Sequence, residues 1–353
     1  MKTLSLPQYD ISIGPIGESH YTWLRARHYA GLAVLVDDNT AEHCWPRLAE
    51  GLAEFRPRVI RIPAGELHKH LDTCRHIWEE LFAAGAGRNW CLLNLGGGVI
   101  GDMGGFCAGT FKRGMDFVQV PTTLLSQVDA SVGGKLGIDF HDIKNSIGLF
   151  RDPAAVWADP AFFATLPPRE VRSGFAEIVK HALIASAEQW ARLQSITDLA
   201  DVNWIDWVAD SVAIKRDVVE EDPHEKGLRK ALNFGHTIGH AIESYFLASD
   251  TPLLHGEAIA AGMIAEAWLS ERQAGLTPPD LAAITRYLLR IYGHQAVPEE
   301  AFATLITYMR QDKKNEDSRI NFSLLPAPGA VAVNQTAEPA VIAEALRYYN
   351  SCA

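Results

Sequence analysis

Cys91-Leu92-Leu93-Asn94-Leu95-Gly96-Gly97-Gly98-Val99-Ile100-Gly101-Asp102 is the stretch on which the reading of the first half of the chain turns. A short apolar run closed by glycines suits a strand buried on both faces, as in a parallel sheet. The turn matches Gly-x-Gly-x-x-Gly literally, with glycines at 96, 98 and 101, and it opens a stretch of helical character. Glycines let backbone N–H groups approach a pyrophosphate, and a helix N-terminus favours its charge. The same turn also serves as a tight corner that packs a helix closely on its strand. The acidic residue usual about twenty positions later has no clear strand-end context, because Asp116 precedes a strand. On this motif alone both readings stay open.

Outward from that turn, short β-rich runs alternate with helical patterns. Candidate strands are Leu32–Val36, Arg58–Ile62, Cys91–Leu95 and Phe117–Val120, and helical character spans Thr40–Phe55 and Lys69–Ala84. Strand, helix and strand at this spacing predict βαβ units, right-handed crossovers and a parallel sheet. The pattern changes after Asp159-Pro160. From Leu166-Pro167-Pro168 onward, helix follows helix: Arg169–Gln194, Trp204–Glu221, Asn233–Phe246, Glu257–Ala274 and Pro279–Ile291. The paired prolines suit a helix start, where a missing N–H costs nothing. A β-like piece, Ile320–Leu325, and a closing helix, Glu338–Tyr349, complete the chain. The expected fold class is α/β, with a Rossmann-like domain over residues 1–160 and a mostly helical domain over 161–353.

The 353 residues suit two domains, and 48% hydrophobic with 21% charged residues is an ordinary globular composition. There is no run of 18 apolar residues, so no transmembrane helix is expected. The opening Met1–Pro7 lacks the apolar core of a signal peptide. Five cysteines without a Cys-x-x-Cys pair fit free thiols in a reduced cytoplasm. A net charge of −11 argues against nucleic acid as a partner. It leaves room for a small anionic substrate, because bulk charge does not describe one pocket.

The helical half holds a metal-ligand constellation. His236 and His240 stand at i and i+4 on one helix face, His255 follows an apolar run, and Glu177 lies on the first helix of the same half. Two histidines, a carboxylate and open positions would make a catalytic zinc site. Spacing does not say which two of the three histidines bind, and helix histidines also serve as caps or hydrogen-bonded core groups. Cations are scattered through this acidic chain: Arg113, Lys135, Lys144, Lys180, Lys215, Arg229 and the pair Lys313-Lys314. A lone surface cation is ordinarily solvated. Lys180 differs, lying three residues after Glu177 and so on the same helix face. If Glu177 points at a metal, Lys180 points into the same cavity. Converging cations would hold a phosphate or a carboxylate.

Taken together, these stretches resemble the 3-dehydroquinate synthase family, within the sugar phosphate cyclases. The resemblance is carried by Gly65–Lys69, Gly96–Asp102, Arg113-Gly114, Val120–Asp129, Ser131–Lys135 and Lys144-Asn145. In the helical half it continues through Leu166-Pro167, Gly174–Lys180, Gly227–His240, Leu254–Met263 and Asp312-Lys313-Lys314. They stand in family order and cover about residues 30 to 325.

The resemblance implies Glu177, His236 and His255 as ligands of Zn2+ or Co2+, with His240 a polar residue of the substrate pocket. It implies Asp37, Asn39, Glu66, Lys69, Gly97, Gly98, Asp102, Thr122, Thr123 and Thr165 as the NAD site, with Lys135 and Lys144 bordering it. Asp129, Lys135, Lys144, Asn145, Lys180, Lys215, Arg229 and Asn233 are implied in substrate binding and catalysis. Arg113 resembles an arginine that reaches the phosphate site of a neighbouring subunit, which implies a homodimer, and one of Lys313 and Lys314 should touch substrate. Ile143 departs from the family where a glycine often precedes the lysine-asparagine pair, and the segment between His240 and His255 is a few residues longer than in many members.

The implied activity is that of a phosphate-eliminating lyase. It turns 3-deoxy-D-arabino-heptulosonate 7-phosphate into 3-dehydroquinate and phosphate, a step of the shikimate pathway to aromatic amino acids. The sequence of events is transient NAD oxidation, elimination, reduction, ring opening and aldol closure. Related cyclases use sedoheptulose 7-phosphate or glucose 6-phosphate, which lack the carboxylate that Lys215 and Arg229 are implied to contact. A metal-dependent alcohol or glycerol dehydrogenase would share the glycine-rich turn and the histidines but would need no phosphate-binding lysines. A non-catalytic binding protein would have lost the ligand residues, and Glu177, His236 and His255 are all in place.

Overall fold

A computed structural model describes residues 1–141, 143–223, 225–247, 249–311 and 319–353. The chain forms two compact units, one of residues 1–167 with 203–216 and one of 168–202 with 217–353.

The first unit is built on a seven-stranded sheet. Its strands are β1 (Lys2–Ser5), β2 (Asp10–Ile13), β3 (Gly31–Asp37), β4 (Arg58–Ile62), β5 (Trp90–Gly96), β6 (Asp116–Pro121) and, after a separate ribbon of β7 (Lys135–Phe140) and β8 (Ile143–Phe150), β9 (Ala155–Ala158). The sheet order is β1-β2-β9-β6-β5-β3-β4. β1 pairs antiparallel with β2, and every other pairing in this sheet is parallel. Leu32 to Val36 of β3 are all buried, because side chains cover both faces. Leu35, Ile60 and Leu92 face the core under helices Leu71–Ala83 and Gly98–Thr110, where Ile77 and Met103 meet them. Val34, Leu93 and Val118 face the opposite layer with Leu48, Leu52 and Trp157.

The strand order marks a candidate ligand site. β3 has β4 on one side and β5 on the other, so the winding reverses between β3 and β5. In open parallel sheets, ligands bind beyond the carboxyl ends of the strands at such a reversal. The carboxyl ends here carry Asp37 and Gly96-Gly97-Gly98.

The second unit is mainly helical. Helices Pro168–Ala185, His236–Phe246 and His255–Gln273 carry Glu177, His236 with His240, and His255 respectively. They approach closely because glycines stand at the crossings. A Cβ at Gly256 would run into the backbone of Ser173, and one at Gly262 would run into Gly235 and Gly239. Small residues at these two points let the chain bring three helices, and so three potential ligands, to one place. Helices Pro278–Tyr292, Phe302–Gln311 and Pro339–Ser351 and the ribbon β10 (Asn321–Ala327) with β11 (Ala330–Thr336) complete the unit.

Two predicted helices are each broken in two. The Thr40–Phe55 span becomes Asp38–His43 and Trp45–Leu52, with Pro46 in the first turn of the second piece. The Arg169–Gln194 span divides at Ser186, whose side chain accepts the Gln189 N–H and caps a new helix, Ala187–Leu193. The ribbon β7–β8, strand β11 and helix Phe302–Gln311 were not expected from periodicity. All five cysteines are free thiols. No helix among the described residues is long and apolar enough to cross a membrane.

Candidate functional site

Glu177 is fully buried, and its two oxygens have different surroundings. Oε2 accepts from the Lys180 ammonium, three residues on and itself buried. Oε1 has no hydrogen-bond donor. Instead, Nε2 of His236 and Nε2 of His255 each lie 3.4 Å from it. Bonds of about 2.0–2.2 Å to one ion would put tetrahedral ligand atoms about 3.3–3.6 Å apart. The two measured separations match that edge, so a buried oxygen without a donor and two imidazole nitrogens fit a zinc-like cation.

The far side of each imidazole is fixed. His236 Nδ1 lies 3.1 Å from the Phe234 carbonyl, which can only accept, so Nδ1 carries the proton and Nε2 offers a lone pair. His255 Nδ1 lies 3.0 Å from Glu243 Oε2. Carboxylates and carbonyls behind metal-bound histidines set ring orientation and basicity in this way. His240 lies beside them, its ring 5.0 Å from that of His236 and 5.7 Å from that of His255. The ligand atoms of His236, His240 and His255 also fall within 4.8 Å of one another.

The charges are strongly coupled. Burial opposes ionisation of Glu177, but Lys180 and His236 outweigh it and hold the carboxyl well below its usual range. Burial and the Lys180 cation push His236 down to about 3. His255 goes the other way: burial disfavours its cation, yet Glu177 and Glu243 push it up to about 9, and a metal ion on Nε2 would displace that proton. A cavity of about 280 Å³ opens beside His240, lined by Thr237, Ala241, Ser244, Tyr308 and Met309.

Other implied residues of this unit are held by its own chain. The Arg229 guanidinium is buried and donates to the Pro223 carbonyl at 2.7 Å, and Asn233 Nδ2 donates to Glu225 at 3.1 Å. Lys313 and Lys314 lie outside the described residues.

In the first unit the implied cofactor residues fall into small groups. Gly97 is the N-cap of helix Gly98–Thr110 and has no side chain to satisfy its first N–H groups, which suits an anion. A Cβ at Gly97 would come within 3.1 Å of the Thr123 methyl, a tight contact that glycine avoids. Lys69, nearly fully buried, donates to Asp102 at 2.7 Å and to Asn145 at 2.6 Å, with Glu66 at 3.9 Å. Lys215 donates to Asp129 Oδ1 at 2.7 Å and to the Asp129 carbonyl. Asp129 itself sits in a π-helical turn, Ser126–Ala130.

Thr122 is buried against the glycine turn, its N–H on the Gly96 carbonyl, and Thr123 bonds Ser126. Asp37 caps helix Asp38–His43 by accepting the Thr40 N–H at 2.7 Å, and Asn39 is exposed in its first turn. Thr165 Oγ1 donates to the Phe162 carbonyl. Lys135, Lys144 and Arg113 are exposed, and Arg113 has a left-handed backbone at φ 68°.

Comparison with known proteins identifies the family. Family models for the N-terminal and C-terminal parts of 3-dehydroquinate synthase match residues 59–173 and 174–315. The 3-dehydroquinate synthase of Parabacteroides distasonis is 42% identical over 330 residues, covering 93% of each chain. The chain belongs to the 3-dehydroquinate synthase family.

Solved structures place that family among related cyclases. A 2-deoxy-scyllo-inosose synthase, complexed with carbaglucose-6-phosphate, NAD+ and Co2+, superposes with a TM-score of 0.81 at 26% identity over 96% of each chain. The 2-epi-5-epi-valiolone synthase of Streptomyces hygroscopicus, with NAD+ and Zn2+ bound, gives 0.82 at 25% identity over 99% of each. For this member of the 3-dehydroquinate synthase family, sequence reasoning missed Glu243 and Glu266. Glu243 stands seven residues after His236 on the same helix, so a search for acidic residues two turns beyond a candidate ligand would have found it. Glu266 carried no local signal, because its partners are 28 and 31 residues away.

Proposed function

We propose that this chain converts 3-deoxy-D-arabino-heptulosonate 7-phosphate into 3-dehydroquinate and inorganic phosphate, as a lyase that uses NAD+ and a Zn2+ or Co2+ ion. The observation that carries this reading is the donor-free Oε1 of Glu177 with two imidazole Nε2 atoms 3.4 Å away. It stands in a chain of this family whose solved neighbours hold NAD+ and such metals. Residues 1–160 are the NAD-binding domain and 161–353 the metal- and substrate-binding domain.

Glu177, His236 and His255 would hold the metal. Gly97, Gly98 and the N-terminus of helix Gly98–Thr110 would take the pyrophosphate of the dinucleotide, with Asp37, Asn39, Glu66, Lys69, Asp102, Thr122, Thr123, Lys144 and Thr165 around it. When bound, the metal supplies Lewis acidity at a substrate hydroxyl and NAD+ takes and returns a hydride. The protein's own part is to hold charge in place. Lys180 keeps the Glu177 carboxylate ionised and offers its ammonium to the same space. Lys135, Lys215 and Arg229 hold the anionic ends of the substrate, and Asp129, Asn145 and Asn233 orient its hydroxyls. Fixed ends keep each intermediate in reactive geometry. The substrate phosphate can itself take the proton in elimination, so no strong protein base is required. His240 polarises a hydroxyl or a water.

Arg113 and one of Lys313 and Lys314 grip the phosphate, with Arg113 supplied by the second subunit of a homodimer. The five free thiols suit a reducing compartment such as the cytoplasm.

The test is release of phosphate from the heptulosonate phosphate with catalytic NAD+, stopped by a chelator and restored by Zn2+ or Co2+. No NADH should accumulate at about 340 nm. Turnover only of sedoheptulose 7-phosphate or glucose 6-phosphate would move the chain to another cyclase. Stoichiometric NADH from an alcohol would make it a dehydrogenase.

A further inference from the structure

We infer that Glu266 is a positioning residue for His236, acting through the N-terminus of the helix that carries it. The inference rests on the reading of Glu177, His236 and His255 as a metal site.

Glu266 lies well inside helix His255–Gln273 and is fully buried. A buried carboxylate is costly unless its oxygens are satisfied. Here each oxygen receives a backbone N–H, Oε2 from Gly235 at 2.6 Å and Oε1 from Ile238 at 2.9 Å. These two amides flank His236, one directly before it and one two residues after. They belong to the first turn of helix His236–Phe246, whose own N-cap is Gly235, in a left-handed conformation at φ 78° and with no side chain to offer. The helix therefore takes its cap from its neighbour, and a negative charge at that end also suits the helix dipole.

The geometry on both sides allows little slack. Gly262, one turn before Glu266, lies against Gly235 and Gly239 so closely that a Cβ would collide with their backbone. The carbonyl of Phe234, the residue before Gly235, receives Nδ1 of His236 at 3.1 Å. Glu266 thus holds the amides on either side of His236, next to the carbonyl that fixes its ring. That ring's Nε2 is the atom 3.4 Å from Glu177 Oε1. These bonds of Glu266 go to the amides around His236, so the effect inferred is on where His236 points.

The experiment measures Zn2+ affinity by competition with a chromophoric chelator, and the visible absorption of the Co2+ form, for the full chain and its variants. Glu266→Gln loses the charge and one acceptor. It should bind Zn2+ about 10- to 100-fold more weakly, the range for partners outside the ligand set, with an altered Co2+ spectrum. Leu269→Ala, a buried truncation on the same helix, is the control for general loosening and should change affinity by less than about threefold even where melting falls as far. Affinity of Glu266→Gln within about threefold of the parent, or an equal loss in Leu269→Ala, overturns the inference. If Glu266→Gln does not fold, Glu266→Asp keeps the charge but reaches less far, and unchanged affinity there overturns it equally. A parent chain that takes up no Zn2+ at all would sink the metal reading itself, a result distinct from either.

Discussion

Three lysines are buried among the described residues, each paired with a carboxylate, and two of them, Lys69 and Lys180, stand in different surroundings. In the first unit Lys69 donates to Asp102 and Asn145, and the group is closed: each donor shown has an acceptor. Burial lowers the tendency of Lys69 to hold its proton, but Asp102 and Glu66 more than restore it. In the second unit Lys180 satisfies one oxygen of Glu177 and leaves the other facing two imidazole nitrogens with no donor between them. The same residue types make a structural clasp in one place and, on the reading proposed above, a cation receptor in the other. What sets the second group apart is the other oxygen of Glu177, with two imidazole nitrogens beside it and no hydrogen bond.

The difference is tested most severely at the open pair. His255→Ala removes one of the two nitrogens, so the variant should lose its bound metal. Phosphate release should fall by about a thousandfold or more, several kcal/mol of lost Lewis-acid stabilisation. Metal per chain, measured by emission spectrometry beside the activity, checks both. Full activity in a metal-free variant would refute the ligand assignment.

At the closed pair the effect should appear in stability instead. Lys69→Met leaves Asp102 without its cation. A fully buried pair broken this way costs about 3–5 kcal/mol. Asp102 keeps 19% of its side chain exposed, so about 2–3 kcal/mol is expected, or roughly 5–10 °C in melting temperature for a unit of this size. Metal content should not change. If it falls with the melting temperature, the two pairs are not distinct devices.

How much of this was legible in the sequence follows the range of the interactions. The strands β3 to β6 were readable because runs such as Leu32 to Val36 are apolar through and through, a local property. The candidate metal cluster was readable as a set of residues, because His236 and His240 share a helix face, and the family resemblance implied which of them would bind. Spacing alone could not choose, and the geometry that favours Glu177 with His236 and His255 joins residues more than 50 positions apart. The break at Ser186 had a signal, Ser186-Ala187-Glu188-Gln189, which is a capping pattern. The edge strand β1 and the β7–β8 ribbon had none strong enough, since exposed residues such as Phe140, Ile147 and Phe150 interrupt the polar-apolar alternation of a half-buried strand.

A smaller effect is expected one step out from the open pair. Glu243→Gln keeps the shape behind His255 Nδ1 but removes the charge that accepts its proton. Zn2+ should bind about 10- to 100-fold more weakly, and activity at saturating metal should stay near that of the parent. A titration of activity against free Zn2+ separates the two quantities. A fall in activity that added metal cannot restore would mean that Glu243 takes part in the chemistry directly and not through His255.

Asp222 offers the mildest test, since it is a carboxylate closed entirely by backbone groups. Oδ1 accepts the N–H of Lys226 at 2.9 Å, and Oδ2 accepts those of Gly227 at 2.6 Å and Arg229 at 3.1 Å. Its slight burial acts against ionisation, but the three donors prevail and hold the carboxyl below its usual range. A carboxyl depressed in the fold contributes stability above the unfolded value of about 3.9, and that stability is lost as pH falls through the lower folded value. Asp222→Asn should therefore melt a little lower at neutral pH, by an amount typical of a lost cap, about 1 kcal/mol or a few °C. The gap between parent and variant should close in acid, as pH falls through the lowered folded value. A gap that stays constant from pH 7 to acid would show that shape and not charge holds the turn before Arg229, and the closed carboxylates would then owe less to ionisation than Lys69 and Asp102 suggest.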